Sequence, residues 1–275
     1  MKPALQARRW TPLFEEALLA LMANRLRSLL TMLGVVIGVA SVILMLAIGE
    51  GSRQRIAASI SSLGSNQLIV MSGSASSGGM RSAAGTLPTL TLDDAAAVAE
   101  LPSVRAVAPV SQSQAQAVFG GRNKSTTVTG STPSYFRVNN MTLDAGEVFT
   151  ESDVRTSANV AVIGPTVAKE LFGDEPPVGQ TVRIQRQVFE VIGLLKPKGQ
   201  GFGGQDQDDV IVMPITTAQR KLSGTTFAGS VGTLMVESAY PEQKGYTSEE
   251  LTLLLRQRHR IRPGDDDDFS VRDMS

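Results

Sequence analysis

The chain has 275 residues, of which 42% are hydrophobic and 19% charged, with 26 Lys plus Arg against 26 Asp plus Glu. This length and apolar content exclude a disordered chain and leave room for an anchor and one or two ordinary domains. A formal charge of zero provides no global basic field, so no nucleic-acid partner is expected; with no cysteine and one histidine, disulfides, thiolate chemistry and multi-imidazole zinc sites are excluded.

In chain order, Phe14, Leu18, Leu21, Met22 and Leu26 recur at helical spacing, with Glu15, Asn24, Arg25 and Arg27 between them. Residues 1–28 therefore read as an amphipathic helix on the inner membrane surface, either a stub lying on lipid or a handle for a cytoplasmic partner. From Leu29 to Ile48 the only polar side chains are Thr31 and Ser41. At about 1.5 Å per residue this run spans ~30 Å, the hydrocarbon thickness of a bilayer.

The run is too long for a signal peptide, and no A-x-A cut site follows it. Lys2, Arg8, Arg9, Arg25 and Arg27 precede it, whereas Arg53 and Arg55 alone follow before residue 75, so the positive-inside rule predicts a cytoplasmic N-terminus. Gly34 and Gly38 form a G-x-x-x-G pair, readable as a helix-packing face or as ordinary membrane-helix composition.

Beyond the span, Ile56, Ile60 and Leu63 keep helical spacing up to Gly64, which predicts an outward stalk capped there. A strand at 67–71 and a Ser/Gly/Ala-rich mobile loop at 72–89 follow. Thr91 and Asp94 make a capping box opening a helix over 92–101, and strands are predicted at 104–109, 113–119 and 125–130. Composition changes near 140–150. Next come a strand at 159–163, a helix from Pro165 to Gly173, a hairpin-like pair at 181–185 and 188–195, a strand at 209–213 and a helix at 216–222. A strand at 232–238, a helix at 248–260 opened by Thr247 with Glu250, and a strand at 269–272 complete the chain.

The fold class is α+β. Residues 1–28 are the cytoplasmic helix, 29–49 the transmembrane helix and 50–66 the stalk. An extracytoplasmic domain of 67–139 and 230–275 holds an inserted module, 140–229.

No catalytic, cofactor or metal constellation emerges. Gly199, Gly201 and Gly204 match G-x-G-x-x-G, but a strand-like DDVIVMP follows where a dinucleotide site needs a helix, so a flexible hairpin tip is expected. No P-loop motif occurs. Asp265–Asp268 lack the spaced Gly and Glu of an EF-hand and read as a solvated, self-repelling loop. Asp206, Asp208 and Asp209 raise the metal question again without companion ligands. His259, among Arg256, Arg258 and Arg260 at a helix end, reads as a structural surface residue.

The segments MANRLRSLLTMLGVVIGVASVI (22–43), GEGSRQRIAASISSLGSNQLIV (49–70) and YFRVNNMTLDAGEVFTESD (135–153) closely resemble MacB-type ABC transporter permeases, a family of macrolide and peptide exporters with lipoprotein-releasing relatives. NVAVIGPTVAKELFG (159–173), PVGQTVRIQRQVFEVIGLL (177–195), DQDDVIVMPITTAQRKL (206–222) and PGDDDDFSVRDMS (263–275) continue the resemblance.

The resemblance implies a bacterial inner-membrane permease with a porter-like periplasmic domain, driven by a separate cytoplasmic ATPase subunit, paired as a homodimer and working with a periplasmic adaptor, or membrane fusion protein. Drugs, peptides or lipoproteins are the implied substrates. Glu15, Arg25 and Arg27 are then the ATPase-facing handle, and no cofactor is implied for this subunit. The family's further membrane helices would follow Ser275, so a truncated chain is expected. The alternative is a non-transport member acting as a periplasmic sensor or as regulator of a cell-wall hydrolase.

Overall fold

The computed structural model describes residues 16, 24–62, 66–73, 76–77, 80–81, 89–201, 204–223 and 229–273. The amphipathic helix expected over 1–28, Glu15 included, lies outside them except at Glu16 and 24–28, as does the expected cap at Gly64. The chain divides into two compact units, Met1–Ala57 and Ala58–Ser275.

α1 (Arg25–Ser62) is one helix of 38 residues, and its stretch Arg25–Gly51, 27 residues, is long and apolar enough to cross a membrane. Its large side chains are exposed along the whole stretch, Leu46 by 68% and Met45 by 78%. The two hydroxyls need no outside partner: Thr31 Oγ1 donates to the Arg27 carbonyl at 2.9 Å and Ser41 Oγ to that of Ile37 at 2.7 Å. Both polar side chains of the run 29–48 are thereby satisfied inside the helix, as a lipid environment demands.

The second unit begins with β1 (Gln67–Ser72), the small hairpin β2 (Ser76–Ser77) and β3 (Met80–Arg81), and β4 (Leu90–Thr91). α2 (Leu92–Ala99) opens on the expected capping box, with Asp94 N donating to Thr91 Oγ1 and Thr91 N to Asp94 Oδ2. The strands expected at 104–109 and 113–119 are one strand, β5 (Val104–Phe119), followed by β6 (Arg122–Ser131). Then come α3 (Ser134–Val138), β7 (Leu143–Gly146), α4 (Glu151–Thr156), β8 (Val160–Ile163), α5 (Pro165–Leu171), β9 (Thr181–Ile184), β10 (Gln187–Leu195) and β11 (Val210–Pro214). α6 (Ile215–Ala218) runs into a π turn, and β12 (Ser230–Val231), β13 (Thr233–Ser238), α7 (Lys244–Arg258) and β14 (Phe269–Asp273) complete the unit.

Pro109, at which the first of the two expected strands ends, lies inside β5. Its carbonyl faces β6, accepting from Ser131 Oγ at 2.7 Å, so its missing N–H also faces that edge, where the β6 ladder starts only at Ser111. The proline removes no ladder hydrogen bond. β5 therefore serves two assemblies in succession. Its first half, up to Val110, pairs with β13 in the antiparallel order β14, β1, β13, β5. Its second half pairs with β6, then in turn β11, β8, β10 and β9, and β9 returns to pair with β5 at Ala117 and Val118.

That return closes a barrel of β5, β6, β11, β8, β10 and β9, which leaves these strands few free edges. Residues 111–131 thus supply two of its staves. The open sheet buries Leu68, Val70, Leu234 and Val236 against Val98 of α2 and Leu251 and Leu255 of α7. The barrel is filled by Ile163, Ile184, Phe189, Ile211 and Met213, with Val167 and Leu171 of α5. Along β11 the alternate residues Val210 and Val212 belong to the other core, as the two-residue period requires. Each fully buried side chain of this size contributes about 1.5–3 kcal/mol.

α7 starts at Lys244, directly after a 3-10 turn at Pro241–Gln243, and not at the expected Thr247 box. Thr247 lies inside the helix, with Oγ1 3.3 Å from the Gln243 carbonyl and 3.0 Å from Ser238 Oγ. α4, capped reciprocally by Thr150 and Asp153, has no counterpart among the sequence expectations although its capping box is readable there.

Candidate functional site

An open cleft of about 980 Å³ crosses the outer surface where the open sheet meets the barrel. Its floor carries Gln67 and Ile69 of β1, Met235 of β13, Gln112 and Gln114 of β5 and Thr127 of β6; Tyr135, Asn139 and Lys198 stand at its wall, with Gln205 and Gln207 from the loop joining β10 to β11. The period of two along β5 turns Gln112 and Gln114 outward while Ala115 and Ala117 enter the barrel.

The end of α3 is held from below. Gln67 Nε2 donates to the Val138 carbonyl and Lys198 Nζ to that of Asn139 at 2.6 Å, so both satisfy carbonyls that the helix leaves open. Burial pushes the Lys198 ammonium down from its ordinary value, opposed by the nearby Asp208 charge. Burial pushes the Tyr135 phenol up, with Thr129 acting against it.

The three aspartates of this loop are ties within the protein. Asp208 accepts from the Lys198 and Gly199 backbone N–H groups at 2.8 and 3.0 Å, Asp206 from the Asp208 N–H and the Thr166 hydroxyl, and Asp209 pairs with Lys124 at 3.2 Å. Among the described residues no group of three or more carboxylate or imidazole side chains could hold a metal. The loop of Gly199, Gly201 and Gly204 forms a small antiparallel turn of its own, Gln200 bridging Asp206, with Gly201 N donating to the Gln205 carbonyl at 2.8 Å and Gln207 N to that of Gly199 at 3.1 Å, inside a connection that passes β8 on the way from β10 to β11. It crosses over a strand, with Gly199 and Gly204 at positive φ of 78° and 79°.

His259 is not a surface residue: its side chain is 8% exposed, with Nδ1 2.7 Å from Asp268 and Nε2 3.3 Å from Asp94. Nor is the Asp265–Asp268 run simply self-repelling, since Asp267 pairs with Arg256 and Asp268 with His259. Burial pushes the Asp94 carboxyl up, but hydrogen bonds from Arg258, Thr91 and His259 outweigh it and hold the group below its ordinary range. The cluster ties the start of α2 to the end of α7 and to the approach to β14.

Gly34 and Gly38 lie on α1, where an added Cβ would meet nothing within 4 Å. Arg25 and Arg27 stand in the first turn of the same helix. The four residues share one helix. Sequence reading missed the cleft residues, although alternate glutamines at 112, 114 and 116 were a visible sign of a polar, outward strand face.

Residues 28–252 match the sequence profile of the MacB-like periplasmic core domain. The chain belongs to the MacB-type ABC transporter permease family. Among curated MacB-type relatives, the macrolide export ATP-binding/permease protein MacB of Syntrophobacter fumaroxidans is 35% identical over 94% of this chain and 44% of its own length. MacB of Rhodospirillum rubrum is 42% identical over 87% of this chain and 36% of its own. The chain spans less than half the length of these MacB relatives.

In fold, the unit resembles the periplasmic region of MacB from Actinobacillus actinomycetemcomitans, with a TM-score of 0.64 and 24% identity over 78% of this chain and 92% of that one. The extracellular domain of the noncanonic ABC-type transporter YknZ from Gram-positive bacteria gives 0.60 and 21% over 75% of this chain and 100% of that one. The chain thus joins a helix long and apolar enough to cross a membrane to a MacB-like periplasmic core domain.

Proposed function

We propose that this chain is the permease part of an export system in which a separate cytoplasmic ATPase drives motion along α1 into the periplasmic core domain, expelling substrate through an adaptor. The carrying observation is the unbroken helix Arg25–Ser62, whose apolar stretch ends at Gly51 while the helix continues. A helix that continues past its apolar stretch suits mechanical transmission; a flexible tether would dissipate it.

The excess of Lys and Arg before the span supports a cytoplasmic N-terminus. The small-residue face at Gly34 and Gly38 is where a second copy would approach, and Arg25 and Arg27 with Glu15 are where the ATPase would grip. The modules 67–139 with 230–275 and 140–229 would move as parts of one periplasmic device. Drug, peptide and lipoprotein cargoes all suit this architecture.

A reporter fused at Gly120 tests the orientation. Alkaline phosphatase, active only outside the cytoplasm, is expected to work there, and signal from a cytoplasm-only reporter at the same place would overturn the reading. The full-length gene product is further expected to co-purify with an ATPase whose hydrolysis an adaptor stimulates; no association would remove the export assignment.

A further inference from the structure

The cleft at the junction of sheet and barrel serves neither the anchor nor the fold's closure. We propose that it is a binding site for an extended, uncharged peptide segment, read through its backbone by carboxamide side chains. This concerns ligand binding by the core domain and stands whether or not the chain works in export.

Shape carries the first step. The lining draws on β1, β13, β5, β6 and, through the edge of Val210, β11, which are consecutive neighbours in the sheet order. Four interstrand steps of about 4.8 Å give a floor ~19 Å across. At about 3.3 Å per residue an extended chain of roughly six residues spans it. The volume, about 980 Å³, stands at the upper end of ordinary ligand clefts.

Chemistry carries the second. Gln112, Gln114, Gln205 and Gln207 line the cleft, and each offers a donor and an acceptor side by side, the complement of a peptide unit. Gln114 already donates to Thr127 Oγ1 at 2.8 Å, which fixes its orientation and leaves its carbonyl and second N–H to the cleft. The charged groups of the lining are tied within the protein: Lys198 Nζ donates to the Asn139 carbonyl, Asp206 accepts from the Thr166 hydroxyl and the Asp208 N–H, and Asp209 pairs with Lys124 through Oδ2. A strongly charged ligand would have to compete with these internal bonds.

Met141, Met235 and Ile69 supply the apolar part of the lining. Thioethers adapt to different shapes, which suits side chains of varied sequence. A sugar is the competing polar ligand, and it is usually met by an exposed aromatic face. The aromatic residue of the lining, Tyr135, is 6% exposed.

The full chain in lipid nanodiscs, with 13C-labelled methionine methyls, tests the proposal. An equimolar mixture of acetylated, amidated hexapeptides built from Ala, Ser, Gln and Met is titrated to millimolar concentration. The Met141 and Met235 methyls are expected to shift together and saturably, while Met213, buried in the barrel, stays in place. Gln112 and Gln114 are exposed, so the Gln112→Ala/Gln114→Ala double variant keeps its fold and is expected to weaken binding by about tenfold. Unmoved Met141 and Met235 methyls, equal affinity in the double variant, or saturable shifts produced by maltotetraose and not by the peptides would each overturn the inference.

Discussion

Replacing Asp94 with alanine tests whether the buried cluster at the end of α7 holds the open sheet to its helices. The Asp94 side chain is 5% exposed and accepts from Arg258 Nε at 2.6 Å and from the Thr91 N–H and hydroxyl at 3.0 and 2.7 Å, with His259 Nε2 at 3.3 Å. Loss of the reciprocal cap costs about 1 kcal/mol, and loss of the charge-assisted bond to Arg258 about 2 kcal/mol more. A total of about 3 kcal/mol corresponds to a fall in Tm of about 6–12 °C for a unit of this size. Near-ultraviolet circular dichroism of the full chain in detergent follows the loss of tertiary packing without interference from α1.

Asp93→Ala, at the exposed neighbouring position, is the control and is expected to change stability by less than about 0.5 kcal/mol. The folded-state pKa of Asp94 lies below its ordinary value of 3.8. The stability this carboxylate contributes is therefore complete above that value and disappears as the pH falls through the lower folded one. The gap between parent and Asp94→Ala should accordingly narrow in strong acid. A deficit under about 1 kcal/mol at neutral pH, or a Tm gap that does not narrow with acid, would refute the assignment of Asp94 as the anchor of the cluster.

Phe189→Ala, which empties a fully buried position inside the barrel, is expected to cost about 3–5 kcal/mol, read as a shift in denaturant midpoint with unchanged slope. Gly146→Ala and Gly120→Ala form a matched pair: both glycines have positive φ, 77° and 54°, but an added Cβ at Gly146 would press on the Ile192 carbonyl, whereas at Gly120 it meets nothing within 4 Å. The first is expected to lose over about 2 kcal/mol and the second about 1 kcal/mol, and equal losses in thermal unfolding would show that crowding at β7 is irrelevant.

The anchor helix was legible because it rests on composition alone: a bilayer needs an uninterrupted apolar run, and Leu29–Ile48 is one. The α2 cap was legible for the same local reason, since Thr91 and Asp94 satisfy N–H groups three residues away. The strands β1, β8, β9, β10, β11, β13 and β14 fell within a residue or two of their observed limits, whereas β7 and the two-residue strands β2, β3, β4 and β12 were not expected. The family was legible because the order and spacing of its segments survive in the sequence.

What tertiary structure alone decided depends on partners distant in the chain. Whether Pro109 interrupts a strand depends on which edge is hydrogen-bonded there, and that edge was set by Ser131 and the ladder beginning at Ser111. Barrel closure rests on Ile184 and Arg183 meeting Ala117 and Val118, a pairing no local pattern encodes. His259 read as a surface residue because its neighbours are arginines, yet two carboxylates from separate segments enclose it. Local hydrogen bonding and hydrophobic period are written into neighbouring residues, whereas edge choice, closure and charge pairing exist only after separate strands and helices have met.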